Sequence, residues 1–206
     1  MSGGNAVIRF VWVALALAAL FGCEVSAPIQ RVSDPDAAWR LRQAALAELT
    51  HWTAVGRIGI STDEEAWSAS IRWEQQGDTY KIRLSGPLGQ GVMQVQGRPG
   101  RAELRTADRQ VHVAEDADAL LRARTGFKVP LSVLRYWILG TTGPGAGVDD
   151  LVVDGAGRLQ QLRQAGWVLE VERYGGPEKL ALPTKLEAST EGITARVVVT
   201  RWLVSS

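Results

Sequence analysis

Residues 67–73 read Trp67-Ser68-Ala69-Ser70-Ile71-Arg72-Trp73, a strict alternation of apolar and polar side chains. A period of two is that of a β-strand, in which successive side chains point to opposite faces of the sheet. The apolar positions of this strand would face a core, and the serines and the arginine would face water. The segment therefore predicts a sheet with one apolar face and one solvated face.

The same period recurs along most of the chain. Gly77-Asp78 predicts a turn, and the next strand carries Tyr80, Ile82 and Leu84 on one face. Short strands separated by turn residues follow at a spacing of about ten residues, which is typical of an antiparallel meander or barrel. We predict about eleven strands in all, including segments at 92–96, 102–106, 110–113, 151–153, 158–164, 167–174, 185–189 and 193–204.

Three helices are predicted besides the strands. Asp34-Pro35 resembles an N-cap followed by proline at the first helical position, and it opens an amphipathic helix over 35–50. A short helix is expected over 116–125, and another begins at Pro130 and ends at Gly140. Nothing divides residues 34–206, so we expect one domain, mainly β, with the helices available to cover the sheet.

The N-terminus predicts export and lipid attachment. Phe10–Phe21 is uncharged, has the length of a signal-peptide core and is too short to span a bilayer. It ends in Leu20-Phe21-Gly22-Cys23, which resembles the lipobox of bacterial lipoproteins, in which the cysteine is acylated. We therefore expect a signal peptide at 1–22 and a lipidated tether at 23–33. An ordinary signal peptide with an incidental cysteine and an uncleaved anchor are the alternatives.

Composition restricts the function classes. The chain has 206 residues, 23 basic and 22 acidic side chains, one cysteine and eight tryptophans. Only Arg9 is charged within residues 1–22, so the mature part is formally neutral and gives no electrostatic case for nucleic acid. A single cysteine provides no disulfide and no thiolate metal site. Burial of large apolar side chains must therefore hold the fold together.

No residue pattern predicts catalysis. Neither His51 nor His112 stands at metal-ligand spacing from acidic residues. The acidic run at 63–65 fits a solvated turn, and the glycine-rich segment at 86–91 lacks the lysine of a phosphate-binding loop. We therefore expect no enzyme, no cofactor and no metal site.

The apolar face of the sheet has two interpretations. It could enclose a packed core, or it could line a cavity for acyl chains, whose burial is worth about 0.8 kcal/mol per methylene. The pattern alone leaves both open. The candidate lining residues, on strands and on one helix face, are Trp67, Trp73, Tyr80, Ile82, Leu84, Leu134, Trp137, Ile138, Trp167, Leu169 and Val171.

Short motifs, in order along nearly the whole mature chain, resemble those of the LolB family of outer-membrane lipoproteins. They are Trp52 with Gly56-Arg57-Ile58, Ile71-Arg72-Trp73-Glu74-Gln75, Gly77-Asp78 with Tyr80, Leu84 with Gly86-Pro87-Leu88-Gly89, Gly126 with Pro130-Leu131, Leu134-Arg135-Tyr136-Trp137-Ile138-Leu139-Gly140, Gln164 with Gly166-Trp167, Tyr174, Leu182-Pro183, and Trp202. Each is weak alone, but their order and spacing together are specific. The lipobox agrees with this resemblance.

The resemblance implies an unclosed antiparallel barrel of eleven strands with a helical lid over a hydrophobic cavity. It also implies a function. Such a protein receives lipoproteins from the soluble periplasmic carrier LolA by their acyl chains and inserts them into the inner leaflet of the outer membrane, without a cofactor. We expect a monomer on the periplasmic face of the outer membrane, anchored through Cys23. The alternative is a structural or envelope-interaction lipoprotein with a filled barrel and no cargo.

One loop is assigned a role by the same resemblance. The family has a protruding loop with an exposed leucine needed for membrane transfer, which matches Gly86-Pro87-Leu88-Gly89 here. A leucine at the tip of a turn flanked by proline and glycine is poorly placed to be buried in its own sheet and suits a lipid surface. Without the resemblance, a Leu88 that folds back over the barrel end would be the preferred interpretation. Glu24, after the cysteine, departs from the aspartate that retains lipoproteins in the inner membrane.

Overall fold

The computed structural model describes residues 34–86, 91–125, 129–145, 147–177 and 180–205. These residues form one eleven-stranded antiparallel sheet and three helices. The helices are α1 (Pro35–Ala47), α2 (Ala117–Thr125) and α3 (Leu131–Trp137). The strands are β1 (His51–Thr62), β2 (Ala66–Gln76), β3 (Thr79–Ser85), β4 (Met93–Arg98), β5 (Arg101–Arg105), β6 (Val111–Ala114), β7 (Val148–Val153), β8 (Leu159–Gln164), β9 (Trp167–Gly175), β10 (Leu182–Thr190) and β11 (Ile193–Ser205).

The strand order is β6-β5-β4-β3-β2-β1-β11-β10-β9-β8-β7. The first and last strands pair in the middle of the sheet, from His51 opposite Ser205 to Thr62 opposite Ile193. The two edges, β6 and β7, are not hydrogen-bonded to each other, so the described sheet is not closed. The prediction of an unclosed, mainly antiparallel β structure with about eleven strands and three helices is confirmed.

Several element boundaries differ from the prediction; for example, α3 ends at Trp137 rather than at Gly140, and β7 begins at Val148 rather than at residue 151. Two of the differences have a visible cause. Helix α1 ends at Ala47 rather than at residue 50, because the chain tightens there into short backbone turns, with Thr50 N–H bonded to the Glu48 carbonyl at 3.0 Å. Strand β10 begins at Leu182 instead of Lys185 and includes Pro183. A register shift next to Pro183 accommodates it, since proline enters sheets mainly at edges and bulges.

Local sequence explains where the first helix begins. The Asp34 side chain accepts hydrogen bonds from the backbone N–H groups of Asp36, at 2.9 Å, and Ala37, at 3.1 Å, and Pro35 occupies the first turn. The predicted N-cap is therefore present. Helix α1 buries Trp39, Arg42 and Leu46.

One end of the sheet is filled by aromatic side chains. The ring of Trp52 lies 5.4 Å from that of Trp73 and 5.5 Å from that of Trp202, in tilted and edge-on contacts. The sheet, the helices and this core lie within one compact unit, Val32–Ser206. That unit has its own hydrophobic core, so we expect it to fold by itself. In the part of the chain described here, no helix has the length and apolarity to cross a membrane.

Candidate functional site

A cavity of about 210 Å³ lies between the concave face of the sheet and helices α2 and α3. Every residue around it is apolar, so the cavity offers no side-chain partner for a polar ligand. The strands contribute Ile58, Ile60, Trp67, Ile71, Trp73, Ile82, Leu84, Met93, Val95, Leu169, Leu186, Ala188, Ala195 and Val197. The helical segment contributes Leu121, Val129, Leu131, Leu134, Trp137 and Ile138.

The structure brings most of the predicted lining residues together. Eight of the eleven surround this cavity: Trp67, Trp73, Ile82, Leu84, Leu134, Trp137, Ile138 and Leu169. Three lie elsewhere. Tyr80 borders a charged groove beside α2, Val171 is buried within the sheet opposite Leu186, and Trp167 packs on Trp137 with ring centres 6.4 Å apart. That eight of them bind acyl chains stays a prediction.

The cavity lies toward the end of the sheet opposite the cluster of Trp52 and Trp202. Its lining includes two cross-strand pairs at that end, Ile60 with Trp67 and Leu84 with Met93, which we term the cavity rim. Trp67 is 40% exposed, whereas Trp73, six residues further along β2, is buried. The apolar lining therefore reaches solvent at the rim.

Helices α2 and α3 cover the cavity, and we term them the lid. They are joined to each other through Asp118, which accepts hydrogen bonds from Ser132 N–H, at 3.1 Å, and from its hydroxyl, at 2.8 Å. A salt bridge of 2.8 Å joins Arg135 of the lid to Asp78 in the β2–β3 turn. These hydrogen bonds and this salt bridge all lie on the exposed side of the lid.

Tyr80 lies in the groove beside α2. Burial, together with the nearby charge of Asp118, raises the pKa of Tyr80 to about 12.

The far end of the lid is fixed by a buried polar group, Gln164. Its Oε1 accepts hydrogen bonds from Trp137 Nε1, at 2.9 Å, and from Gly143 N–H, at 3.0 Å. Its Nε2 donates to the Gly143 carbonyl at 2.8 Å. Sequence reasoning assigned Gln164 no role of its own. The available signal was a polar residue on the inward face of β8, which it shares with Leu162.

Helix α1 is held by a second buried polar group, which the sequence pattern did not single out. Arg42 donates a 2.5 Å hydrogen bond to the Ala181 carbonyl and lies 5.2 Å from the centre of the Tyr174 ring. Burial lowers the pKa of Arg42 and raises that of Tyr174, whose hydroxyl donates to the Leu159 carbonyl. These bonds attach α1 to the sheet, so it is not part of the lid.

The remaining sequence candidates are placed as follows. The Nδ1 atom of His51 lies 2.9 Å from the Thr50 hydroxyl. Among the described residues, no group of three or more His, Cys, Asp or Glu side chains could hold a metal ion. Gly86 follows β3 directly. The other three residues of the predicted transfer loop, Pro87, Leu88 and Gly89, lie outside the described residues. Cys23, the predicted site of lipid attachment, also lies outside them.

Comparison with known proteins agrees with this architecture. The family model described as "Outer membrane lipoprotein LolB" matches residues 50–202. A protein named Outer-membrane lipoprotein LolB from Nitrosococcus oceani is 37% identical over 194 residues, covering 94% of this chain and 96% of that protein. Its namesake from Halorhodospira halophila is 35% identical over 188 residues, covering 91% of each chain.

Among solved structures, a DUF1329 family protein from Desulfovibrio piger has a similar fold. The TM-score is 0.50 at 10% sequence identity, over 84% of this chain and 94% of that one. At this identity the likeness concerns the fold alone. The family model and the relatives, which cover most of both chains, decide the assignment: this chain belongs to the LolB family of outer-membrane lipoproteins.

Proposed function

We propose that this protein receives lipoproteins from a LolA-type periplasmic carrier by binding their acyl chains in the cavity under the lid. It then releases them into the inner leaflet of the outer membrane. The observation that carries the proposal is a cavity lined only by apolar residues and reaching solvent at Trp67. A filled barrel, the alternative considered from the sequence, would have no such space.

Burial of hydrocarbon supplies the binding free energy. Each methylene removed from water contributes about 0.8 kcal/mol, so a chain of ordinary length is held without any polar contact. No cofactor is needed for this step. The wholly apolar lining also disfavours polar ligands, because their hydrogen bonds to water would be lost without replacement.

The cavity must widen to accept such chains. Its volume of about 210 Å³ is below the roughly 300–1,000 Å³ of pockets that enclose drug-sized ligands. The lid is the movable part, because α2 and α3 have 9 and 7 residues. Helices this short are not stable in isolation and depend on their packing. The sheet strands, by contrast, are hydrogen-bonded to neighbours on both sides, apart from β6 and β7.

The links of the lid indicate how it would move. Trp137, at the end of α3, is bonded to buried Gln164 and is costly to displace. The salt bridge from Arg135 of the lid to Asp78 of the sheet is at the surface, where ion pairs contribute roughly 0–1 kcal/mol. We therefore expect α2 and the start of α3 to swing outward about the Trp137 end.

Two segments outside the described residues complete the proposal. Acylated Cys23 would keep the protein at the membrane that its cargo must enter. Leu88, in the connection that follows β3, would contact the lipid surface during release. Both assignments rest on the resemblance to the LolB family and on the chemistry of these residues.

Transfer of labelled lipoprotein from a LolA-type carrier to the segment 32–206 tests the proposal. We expect transfer to the wild-type segment and loss of at least tenfold in the Val197→Phe variant, whose larger ring would fill the cavity. Val198→Phe is the matched control, because Val197 lines the cavity and Val198, next in β11, is 40% exposed. A folded wild-type segment that accepts no lipoprotein would contradict the proposal.

A further inference from the structure

A row of arginines crosses the convex face of the sheet. In the strand register Arg201 of β11 and Arg72 of β2 lie on either side of one β1 residue, and Arg72 lies directly opposite Arg83 of β3. One β4 residue then separates Arg83 from Arg105 of β5. All four side chains are exposed. This arginine row spans five strand spacings, or about 24 Å.

The row is only half neutralised by its surroundings. Arg72 pairs with Glu74 at 2.6 Å, and Arg105 pairs with Glu103 at 3.1 Å. Across the described chain, neither Arg83 nor Arg201 has a carboxylate within 4.0 Å.

Arginines directly opposite each other, such as Arg72 and Arg83, destabilise a sheet. The chain as a whole has 23 basic and 22 acidic side chains, so the row is a local segregation of charge. A row of cations that costs stability, and in which Arg83 and Arg201 have no carboxylate partner among the described residues, points to an external anion.

The position of the row relates it to the cavity. Arg83 lies between Ile82 and Leu84, which point to the opposite face, and Leu84 belongs to the cavity rim. Arg105 pairs with the first residue of β6 at the same end of the sheet. Arg83 and Arg105 therefore lie behind the rim, on the convex side, while Arg72 and Arg201 continue the row toward the end of the sheet that holds Trp52 and Trp202. The row leaves the cavity free.

We propose that the arginine row binds the phosphate groups of anionic phospholipids and sets the orientation of the cavity rim at the membrane surface. Guanidinium groups bind phosphate in a bidentate manner. Each cation close to an anionic membrane strengthens binding about fivefold. The inference goes beyond the proposed function, since it does not require the cavity to hold acyl chains.

Two features favour a membrane over an acidic protein. The row faces away from the cavity, so a protein that docks on the open apolar rim would not contact it. The β1–β2 turn, at the same end of the sheet, carries exposed Asp63, Glu64 and Glu65. These carboxylates would be repelled by an anionic surface, so only the side of the rim that holds Arg83 and Arg105 can approach it. That asymmetry would orient the molecule rather than merely retain it.

Flotation with vesicles tests the inference. The segment 32–206 is mixed with vesicles of phosphatidylglycerol and phosphatidylethanolamine, or of phosphatidylcholine alone, at low and high salt. We expect binding to the anionic vesicles only, and its loss at high salt. The double variant Arg83→Gln/Arg201→Gln should bind about 25-fold more weakly. The control Arg163→Gln/Arg173→Gln removes two exposed arginines of β8 and β9 and should change binding less than about threefold.

Several outcomes would overturn the inference. They are equal weakening by the two double variants, no effect of Arg83→Gln/Arg201→Gln, or equal binding to phosphatidylcholine. Thermal unfolding and binding of an apolar fluorescent probe show whether each variant keeps its fold and cavity. If the wild-type segment binds anionic vesicles but does not bind the apolar probe, the proposed function is rejected and this inference stands.

Discussion

Trp137 Nε1 donates a 2.9 Å hydrogen bond to Gln164 Oε1, which joins the end of lid helix α3 to strand β8. Trp137 is 1% exposed and Gln164 is not exposed at all. A hydrogen bond between two buried groups is expensive to leave unmade, because neither group can turn to water instead. This contact therefore fixes one end of the lid, while the other links of the lid lie at the surface.

Replacing Gln164 by leucine tests this role. The change leaves the Trp137 indole N–H and the Gly143 N–H and carbonyl without their partner. Each buried unsatisfied group costs about 1–3 kcal/mol, so we expect the free energy of unfolding in urea to fall by about 3 kcal/mol or more. Gln160→Leu, at an exposed position of the same strand, should change it by less than about 0.5 kcal/mol. Equal stability of the two variants would exclude this role of Gln164.

Gly56 of β1 has no room for a side chain against β11. A methyl group at this position would lie 2.0 Å from the Val198 carbonyl oxygen, next to the register shift between Val55 and Gly56. Backbone cannot move aside as a side chain can, so Gly56→Ala should destabilise the fold by about 2–3 kcal/mol or more. At Gly59 of the same strand the nearest atom is 4.0 Å away, so Gly59→Ala should be tolerated. Thermal unfolding of both variants checks the contrast, and an unaffected Gly56→Ala protein would contradict it.

Ionisation of buried tyrosines should limit stability at high pH. Burial raises the pKa of Tyr174, and burial with nearby carboxylates raises that of Tyr80 to about 12. An unfolded tyrosine ionises near pH 10, so this stabilisation is complete below pH 10 and is lost as the pH rises through the folded pKa values. The fall in urea midpoint between pH 8 and pH 11 should be smaller for Tyr80→Phe than for the wild type. An unchanged fall would show that Tyr80 does not contribute.

Leu88 is predicted to act in release and not in reception. Replacing it by glutamate places a charge where the proposal requires an apolar contact with lipid. We expect Leu88→Glu to accept lipoprotein from the carrier as the wild type does, and to transfer it to liposomes at least tenfold more slowly. Leu88→Ile is the conservative control. Equal release by Leu88→Glu and the wild type would remove this residue from the mechanism.

Family membership also bears on catalysis. The sequence contains no catalytic motif, and its relatives of the LolB family are named outer-membrane lipoproteins, a name that describes no enzyme. The expectation of a non-enzymatic outer-membrane lipoprotein is thereby confirmed. Attachment through Cys23 and handover from a LolA-type carrier stay predictions.

Local patterns predicted the strands well, because alternation along one strand needs no knowledge of its neighbours. The alternation at 67–73 corresponds to the middle of β2, with Ile71 and Trp73 buried and Arg72 exposed. Partners distant in sequence were harder. Pro183 lies inside β10 only because a register shift against β9 accommodates it, and nothing near Pro183 in the sequence indicates that shift.

The candidate site was only partly predictable for a similar reason. Alternation showed which side chains face inward, but whether they meet or leave space depends on the position of the lid. Trp167 faces inward as predicted, yet its ring packs on Trp137 instead of lining the cavity. The arginine row depends on the strand register. Arg72, Arg83, Arg105 and Arg201 lie on four different strands, and only the pairing of those strands aligns them.

The central claim is that acyl chains lie under the lid, and photocrosslinking tests it most directly. A lipoprotein with a photoreactive group in an acyl chain is transferred to the segment 32–206, irradiated, and the crosslinked residues are identified by mass spectrometry. We predict crosslinks to cavity residues such as Trp67, Leu134 and Val197, and their loss in Val197→Phe but not in Val198→Phe. Crosslinks confined to the convex face, or unchanged in Val197→Phe, would contradict the account.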